Sequence, residues 1–128
     1  MTSNGTPHIL VVEDDGDIRE AVLEVLEDEG FTVTGTTDGA QAMAYLDGST
    51  VSPDLILVDV MMPTMDGFQF RAEQRKNPRH AEIPVIVFTA DGHAKAISAE
   101  LGAAAVLRKP VKIGALVDVV RRVLTRRT

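Results

Sequence analysis

Short apolar runs alternating with amphipathic ones constrain this chain more than any other feature. Residues 8–12, 31–35, 54–58, 85–88 and 104–107 read as strands. All but the second, where Thr alternates with apolar residues, are nearly continuous in Ile, Leu, Val and Ala, as expected of strands covered on both faces. The segments between them have helical spacing. Ile18, Val22, Val25 and Leu26 form one apolar stripe, Glu20, Glu24 and Glu27 lie outside it, and Gly30 sits where a glycine stops a helix. Further helices are expected over 40–47 with Asp38 as cap, 67–76, 92–101 with Gly102 behind it, and 113–124. The 67–76 segment is the weakest, carrying Phe68, Phe70 and Ala72 in a polar setting. Successive βα units predict a parallel sheet with helices on both faces and right-handed crossovers. Such a fold builds its site at the carboxyl ends of the strands, near the point where strand order reverses.

Composition removes several function classes. A chain of 128 residues is one domain. The absence of Cys excludes disulfides and thiolate metal sites and agrees with a reducing cytoplasm. No basic-then-apolar leader opens the chain, and no apolar run reaches about 18 residues, so neither a signal peptide nor a membrane span is expected. A net charge of −6, with four Phe, one Tyr and no Trp, argues against direct nucleic-acid binding. Residues 1–7 are polar and expected to be disordered, leaving one folded domain over 8–125.

The chemistry-bearing residues follow the strands. The first strand runs into "VVEDDGD", the third into Asp59, the fourth into Thr89 and the fifth into Lys109 and Pro110. In a parallel sheet these converge on one edge, so Asp59 is expected at the rim of the core rather than inside it. Glu13, Asp14 and Asp59 together concentrate negative charge, which raises carboxyl pKa values and demands cations. Mg²⁺, which takes oxygen ligands and keeps waters, suits them. Lys109 supplies a point charge for Asp59 or a phosphoryl oxygen, and Thr89 a hydroxyl. A carboxylate in this setting can act as a nucleophile toward phosphorus.

With "ILVVEDDGDIR", "PDLILVDVMMPTMDG", "IPVIVFTA" and "GAAAVLRKP" in this order and spacing, the chain resembles the receiver domain of two-component response regulators. The resemblance implies a (βα)5 flavodoxin-like three-layer sandwich with strand order 2-1-3-4-5. It makes Asp59 the phosphoacceptor. Asp14 would bind Mg²⁺ directly, Glu13 through water, and Met61 through its backbone carbonyl. Thr89 and Lys109 would contact the phosphoryl group, with a cis bond before Pro110. Met61 and Asp91 occupy the positions that tune phosphoryl lifetime. The implied phosphodonor is a sensor histidine kinase or histidine phosphotransfer protein. The implied protein is a cytoplasmic switch, not an enzyme beyond its own phosphorylation and dephosphorylation, acting through protein contacts, with homodimerisation open. Two departures stand out: Val106 replaces the usual switch aromatic, and the stretch around "ADGHAKA" is shortened. Both fall on the fourth helix and fifth strand, where most receivers make output contacts.

Simpler readings apply elsewhere. Asp15 and Asp17 suit a helix N-terminus, and Asp38 and Asp66 are cap or turn residues. His8 and His80 are isolated, and His93 is a candidate for the pocket rim. Met61, Met62 and Met65 read as loop packing, and the basic end "RRVLTRRT" complements a helix dipole. Other Asp or phosphate chemistries on this fold lack their signatures. There is no GxxxxGKS or GxxxxGKT, and Met61 stands where a haloacid-dehalogenase-type phosphatase needs a second acid. A docking-only receiver is an alternative, as is a domain excised from a larger regulator or hybrid kinase. No output domain is expected after residue 125.

Overall fold

The computed structural model describes residues 6–61, 65–90 and 93–126. The elements run β1 (His8–Val12), α1 (Gly16–Asp28), β2 (Thr32–Thr36), α2 (Gly39–Gly48), β3 (Leu55–Asp59), α3 (Gly67–Lys76), β4 (Val85–Thr89), α4 (Ala94–Leu101), β5 (Ala105–Arg108) and α5 (Ile113–Arg126). All strand pairs are parallel, in the order β2-β1-β3-β4-β5. This is the flavodoxin-like three-layer sandwich that the alternation and the resemblance imply.

Alternate residues of each strand point to opposite faces, and both faces are apolar. Ile9, Val11, Leu55, Leu57, Ile86 and Phe88 meet Val22 and Leu26 of α1 and Leu116, Val120 and Val123 of α5. Leu10, Val12, Ile56, Val58 and Val87 meet Leu46 of α2, Phe70 of α3 and Leu101 of α4. Each such side chain contributes roughly 1.5–3 kcal/mol when fully buried. These two half-cores hold the sheet rigid beneath its carboxyl edge.

Local chemistry sets the helix ends. Asp15 caps α1 by accepting the Asp17 and Ile18 amides, and Asp38 caps α2 through the Gln41 amide at 2.8 Å. Gly30 (φ 95°) and Gly102 (φ 64°) take the left-handed conformation behind α1 and α4, which glycine adopts without steric cost. The weak 67–76 segment forms a helix over its whole expected span. Asp66 and Gln69 make a reciprocal capping box, and Phe70 is fully buried.

Boundaries differ from expectation by a residue or two. β2, β3 and β5 lie one position later than 31–35, 54–58 and 104–107, and β4 extends to Thr89. The ladder is the cause: Asp59 pairs with Phe88 and Thr89 with Arg108, so both polar residues belong to strands. Asp59 is correspondingly 3% exposed, buried at the strand end rather than displayed on an open rim. α2 gains a residue at each end, α4 begins at Ala94, and α5 runs to Arg126.

Candidate functional site

Strand order reverses between β1 and β3, since the chain leaves β1 toward β2 and β3 toward β4. The crevice at their carboxyl ends is the expected site position, and the acidic residues lie there. Glu13 directly follows β1, its amide donating to the Thr36 carbonyl at 3.0 Å. Its side chain is fully buried, and Oε2 accepts the Asp15 amide at 3.1 Å. Arg19 on α1 donates to the Glu13 carbonyl at 2.8 Å, bracing the loop. Asp14 is exposed at the mouth. Asp15 turns away to its capping role.

Asp59 ends β3. Its Oδ1 accepts the Met61 amide at 3.0 Å and its Oδ2 accepts Lys109 Nζ at 2.8 Å. Lys109 immediately follows β5, its amide donates to the Thr89 carbonyl at 2.9 Å, and its bond to Pro110 is cis. The same ammonium lies 3.0 Å from Glu13 Oε1. That approach lacks hydrogen-bond alignment, so the buried Oε1 has no hydrogen-bond partner among the described residues. Thr89, fully buried, closes the β4 side.

The electrostatics follow. Burial pushes the Glu13 carboxyl up to about 7; the Asp59 charge adds to this, while the Asp15 amide and Lys109 oppose it. Burial would lower Lys109, but the adjacent Asp59 and Glu13 carboxylates outweigh this and raise its pKa. The site thus holds excess negative charge with one ammonium inside it. One carboxylate oxygen each from Glu13, Asp14 and Asp59 lies within 4.8 Å of the others. Hard oxygen donors, one buried carboxylate oxygen that makes an ion pair but no hydrogen bond, and one exposed member fit a small divalent cation that retains water.

The remaining candidates differ in setting. Met61 is 72% exposed, Val106 is half-buried against the core beneath α4, and His93 is the exposed N-cap of α4. Met62 and Asp91 lie outside the described residues. Met65 packs on Gly39, as expected of a loop methionine. His8 contacts Thr34 and Tyr45, and buried His80 lies 3.4 Å from Asp47. Neither histidine belongs to the acidic cluster. Arg19 was not foreseen as a site residue, because one Arg in a helix's first turn carries no distinguishing pattern.

The response regulator receiver domain profile matches residues 9–121. The chain belongs to that family. Among curated relatives of this receiver domain, transcriptional regulatory protein CpxR of Klebsiella pneumoniae is 40% identical over 120 residues, covering 92% of this chain and 49% of the relative. The DNA-binding dual master transcriptional regulator RpaA of Synechocystis is 35% identical over 122 residues, covering 94% and 50%. This receiver domain spans about half the length of those relatives. Chemotaxis protein CheY4 of Vibrio cholerae superposes with a TM-score of 0.84 at 30% identity, covering 93% of this chain and 99% of that one. The receiver domain of a histidine kinase from Syntrophus aciditrophicus gives 0.85 at 32% identity, covering 94% and 92%. No helix among the described residues is long and apolar enough to cross a membrane.

Proposed function

We propose that this receiver domain accepts a phosphoryl group on Asp59 from the phosphohistidine of a sensor histidine kinase or histidine phosphotransfer protein. The observation that carries this reading is Lys109 Nζ lying between Asp59 Oδ2 and Glu13 Oε1 beside a three-carboxylate cluster. Asp14, Asp59 and the Met61 carbonyl would hold Mg²⁺, with Glu13 acting through water. The ion, when bound, neutralises charge on the transferring phosphoryl oxygens. The chain's own groups do the rest. The Asp59 carboxylate attacks phosphorus and forms the new O–P bond. The P–N bond of the donor breaks, and the imidazole leaves with its electron pair and takes up a proton from solvent. Lys109 follows the charge from the carboxylate to the phosphoryl oxygens, and the Thr89 hydroxyl donates to one of them. Met61 and Asp91 would set how readily water reaches the acyl phosphate.

An apolar cleft of about 230 Å³, lined by Ile18, Ala21, Val22, Lys109, Pro110 and Val111, opens beside the site. It offers a seat for the donor's helix next to the nucleophile. A cytoplasmic location fits a cytoplasmic kinase, and the signal would pass by protein contact, with homodimerisation as one form of it.

Intact mass after incubation with acetyl phosphate tests the reading. A single phosphoryl adduct that requires both Mg²⁺ and Asp59, and is absent from Asp59→Asn, supports it. An adduct that persists in Asp59→Asn defeats it. If no adduct accumulates, a Mg²⁺-dependent response to beryllofluoride identifies rapid hydrolysis, and no response identifies a docking-only domain.

A further inference from the structure

α3 is fastened beside Asp59 at its start and, through two arginines, to the last turn of α4. The Gly67 amide donates to the Val60 carbonyl at 2.9 Å. The fit is close: a Cβ at Gly67 would lie 2.9 Å from Val60 Cα and 3.2 Å from the Asp59 carbonyl oxygen. α3 therefore begins on the residue next to Asp59.

Further along, two arginines reach the last turn of α4. Arg71 Nε donates to the Leu101 carbonyl at 2.9 Å, and a second Arg71 nitrogen to the Gly102 carbonyl at 3.2 Å. Arg75 donates to the same Leu101 carbonyl at 2.7 Å. A helix C-terminus lacks intrahelical donors for its last carbonyls and favours cations there. Gly102 is part of the arrangement, because a side chain at that position would run into the Arg75 guanidinium. Arg71 is braced from behind. It donates to Gln74 Oε1 at 2.8 Å, and buried Gln74 donates in turn to the His80 and Ile83 carbonyls at 2.9 and 3.0 Å. Burial, then the neighbouring Arg75 charge, lowers the pKa of Arg71, and Glu82 opposes this. Holding two guanidinium groups together needs the carbonyl acceptors that α4 supplies.

We infer that Arg71 and Arg75 couple the Asp59 loop to the position of α4. α3 moves as one rod with Val60, and its two arginines oblige the last turn of α4 to follow. The event that moves the loop rests on the proposed phosphorylation of Asp59; the clamp itself does not.

Amide hydrogen exchange read by NMR on the whole chain tests this, with and without Mg²⁺ and beryllofluoride. The variants are Arg71→Met with Arg75→Met, and Arg71→Lys with Arg75→Lys. Arg75→Met alone, which leaves Arg71 and the glycine cap of α4 in place, serves if the double Met variant fails to fold. In wild-type protein, beryllofluoride is expected to change exchange at Val60 and Met61 and also at residues 97–103. In the double Met variant the response at Val60 and Met61 persists and the response at 97–103 is lost; the Lys pair recovers part of it. An undiminished response at 97–103 in the double Met variant overturns the coupling. So does a wild-type response confined to Val60 and Met61. No wild-type response at Val60 and Met61 instead overturns the phosphoacceptor reading. The ligand-free proteins then decide the clamp: losing charge-assisted bonds should speed exchange at 101–103 by about tenfold or more, and an unchanged rate refutes it.

Discussion

Lys109 and Asp59, 50 positions apart in the chain, meet at 2.8 Å across the carboxyl edge of the sheet. The Lys109 side chain is 20% exposed and the Asp59 side chain 5%. A pair this dry holds together because each charge needs the other, and Glu13 draws on the same ammonium.

Lys109→Met should therefore lower stability in metal-free buffer by about 3 kcal/mol, the usual cost of breaking a buried pair. Mg²⁺ should then stabilise the variant more than it stabilises wild type, because the ion replaces the missing positive charge and binding favours the folded state. Thermal melts with and without Mg²⁺ measure both increments. Equal increments would show that Lys109 and the metal do not share the carboxylates.

The raised Glu13 pKa makes a pH prediction. The unfolded carboxyl titrates near 4.5 and the folded one near 7, so between these values the native state holds the extra proton. Glu13's contribution is full below about 4.5 and is lost as pH rises through about 7. Metal-free stability should decline across that window in wild type, and less steeply in Glu13→Gln, whose amide does not titrate. Mg²⁺ binding needs the ionised form, so wild-type affinity should rise with pH over the same range. Urea unfolding and Mg²⁺ titrations at pH 5 and 7.5 check both signs.

Two glycines should respond oppositely to the same substitution. A Cβ at Gly67 would press on Val60 backbone, whereas one at Gly114 meets nothing within 4 Å. Gly67→Ala should cost about 1–3 kcal/mol as overpacking against an unyielding neighbour. Gly114→Ala should add about 0.5–1 kcal/mol through helix propensity. Chemical denaturation of the two variants decides, and a neutral Gly67→Ala would mean that α3 can lift from Val60.

Gln74→Leu removes the side-chain amide that donates to the buried His80 and Ile83 carbonyls. The His80 carbonyl keeps the Ile83 amide at 3.1 Å, so the expected loss is about 1–3 kcal/mol, the cost of one unsatisfied buried acceptor at Ile83. Gln74→Ala should be no better, because it adds a cavity to the same loss. A stable Gln74→Leu variant would show that another donor reaches the Ile83 carbonyl.

Much of this was legible along the chain. The alternation of apolar runs was enough for the layers and the parallel sheet, because strand and helix periods are local properties. Glu13, Asp14, Asp59, Thr89 and Lys109 could be placed at one edge because parallel strands bring their carboxyl ends together. The caps at Asp38 and Asp66 and the stops at Gly30 and Gly102 needed only neighbouring residues.

What the tertiary structure alone decided is how deeply those groups sit and whom they touch. Asp59 and Thr89 became strand residues because neighbouring strands extended the ladder past the apolar run. Glu13 became a carboxyl titrating near 7 because packing removed its water. Gln74, which no local pattern distinguishes, is a buried donor because the α3–β4 connection folds over it. Arg71 and Arg75 found α4 about 30 positions later in the chain. Residue type and period are written locally, whereas burial and hydrogen-bond partnership arise only when distant segments exclude water together.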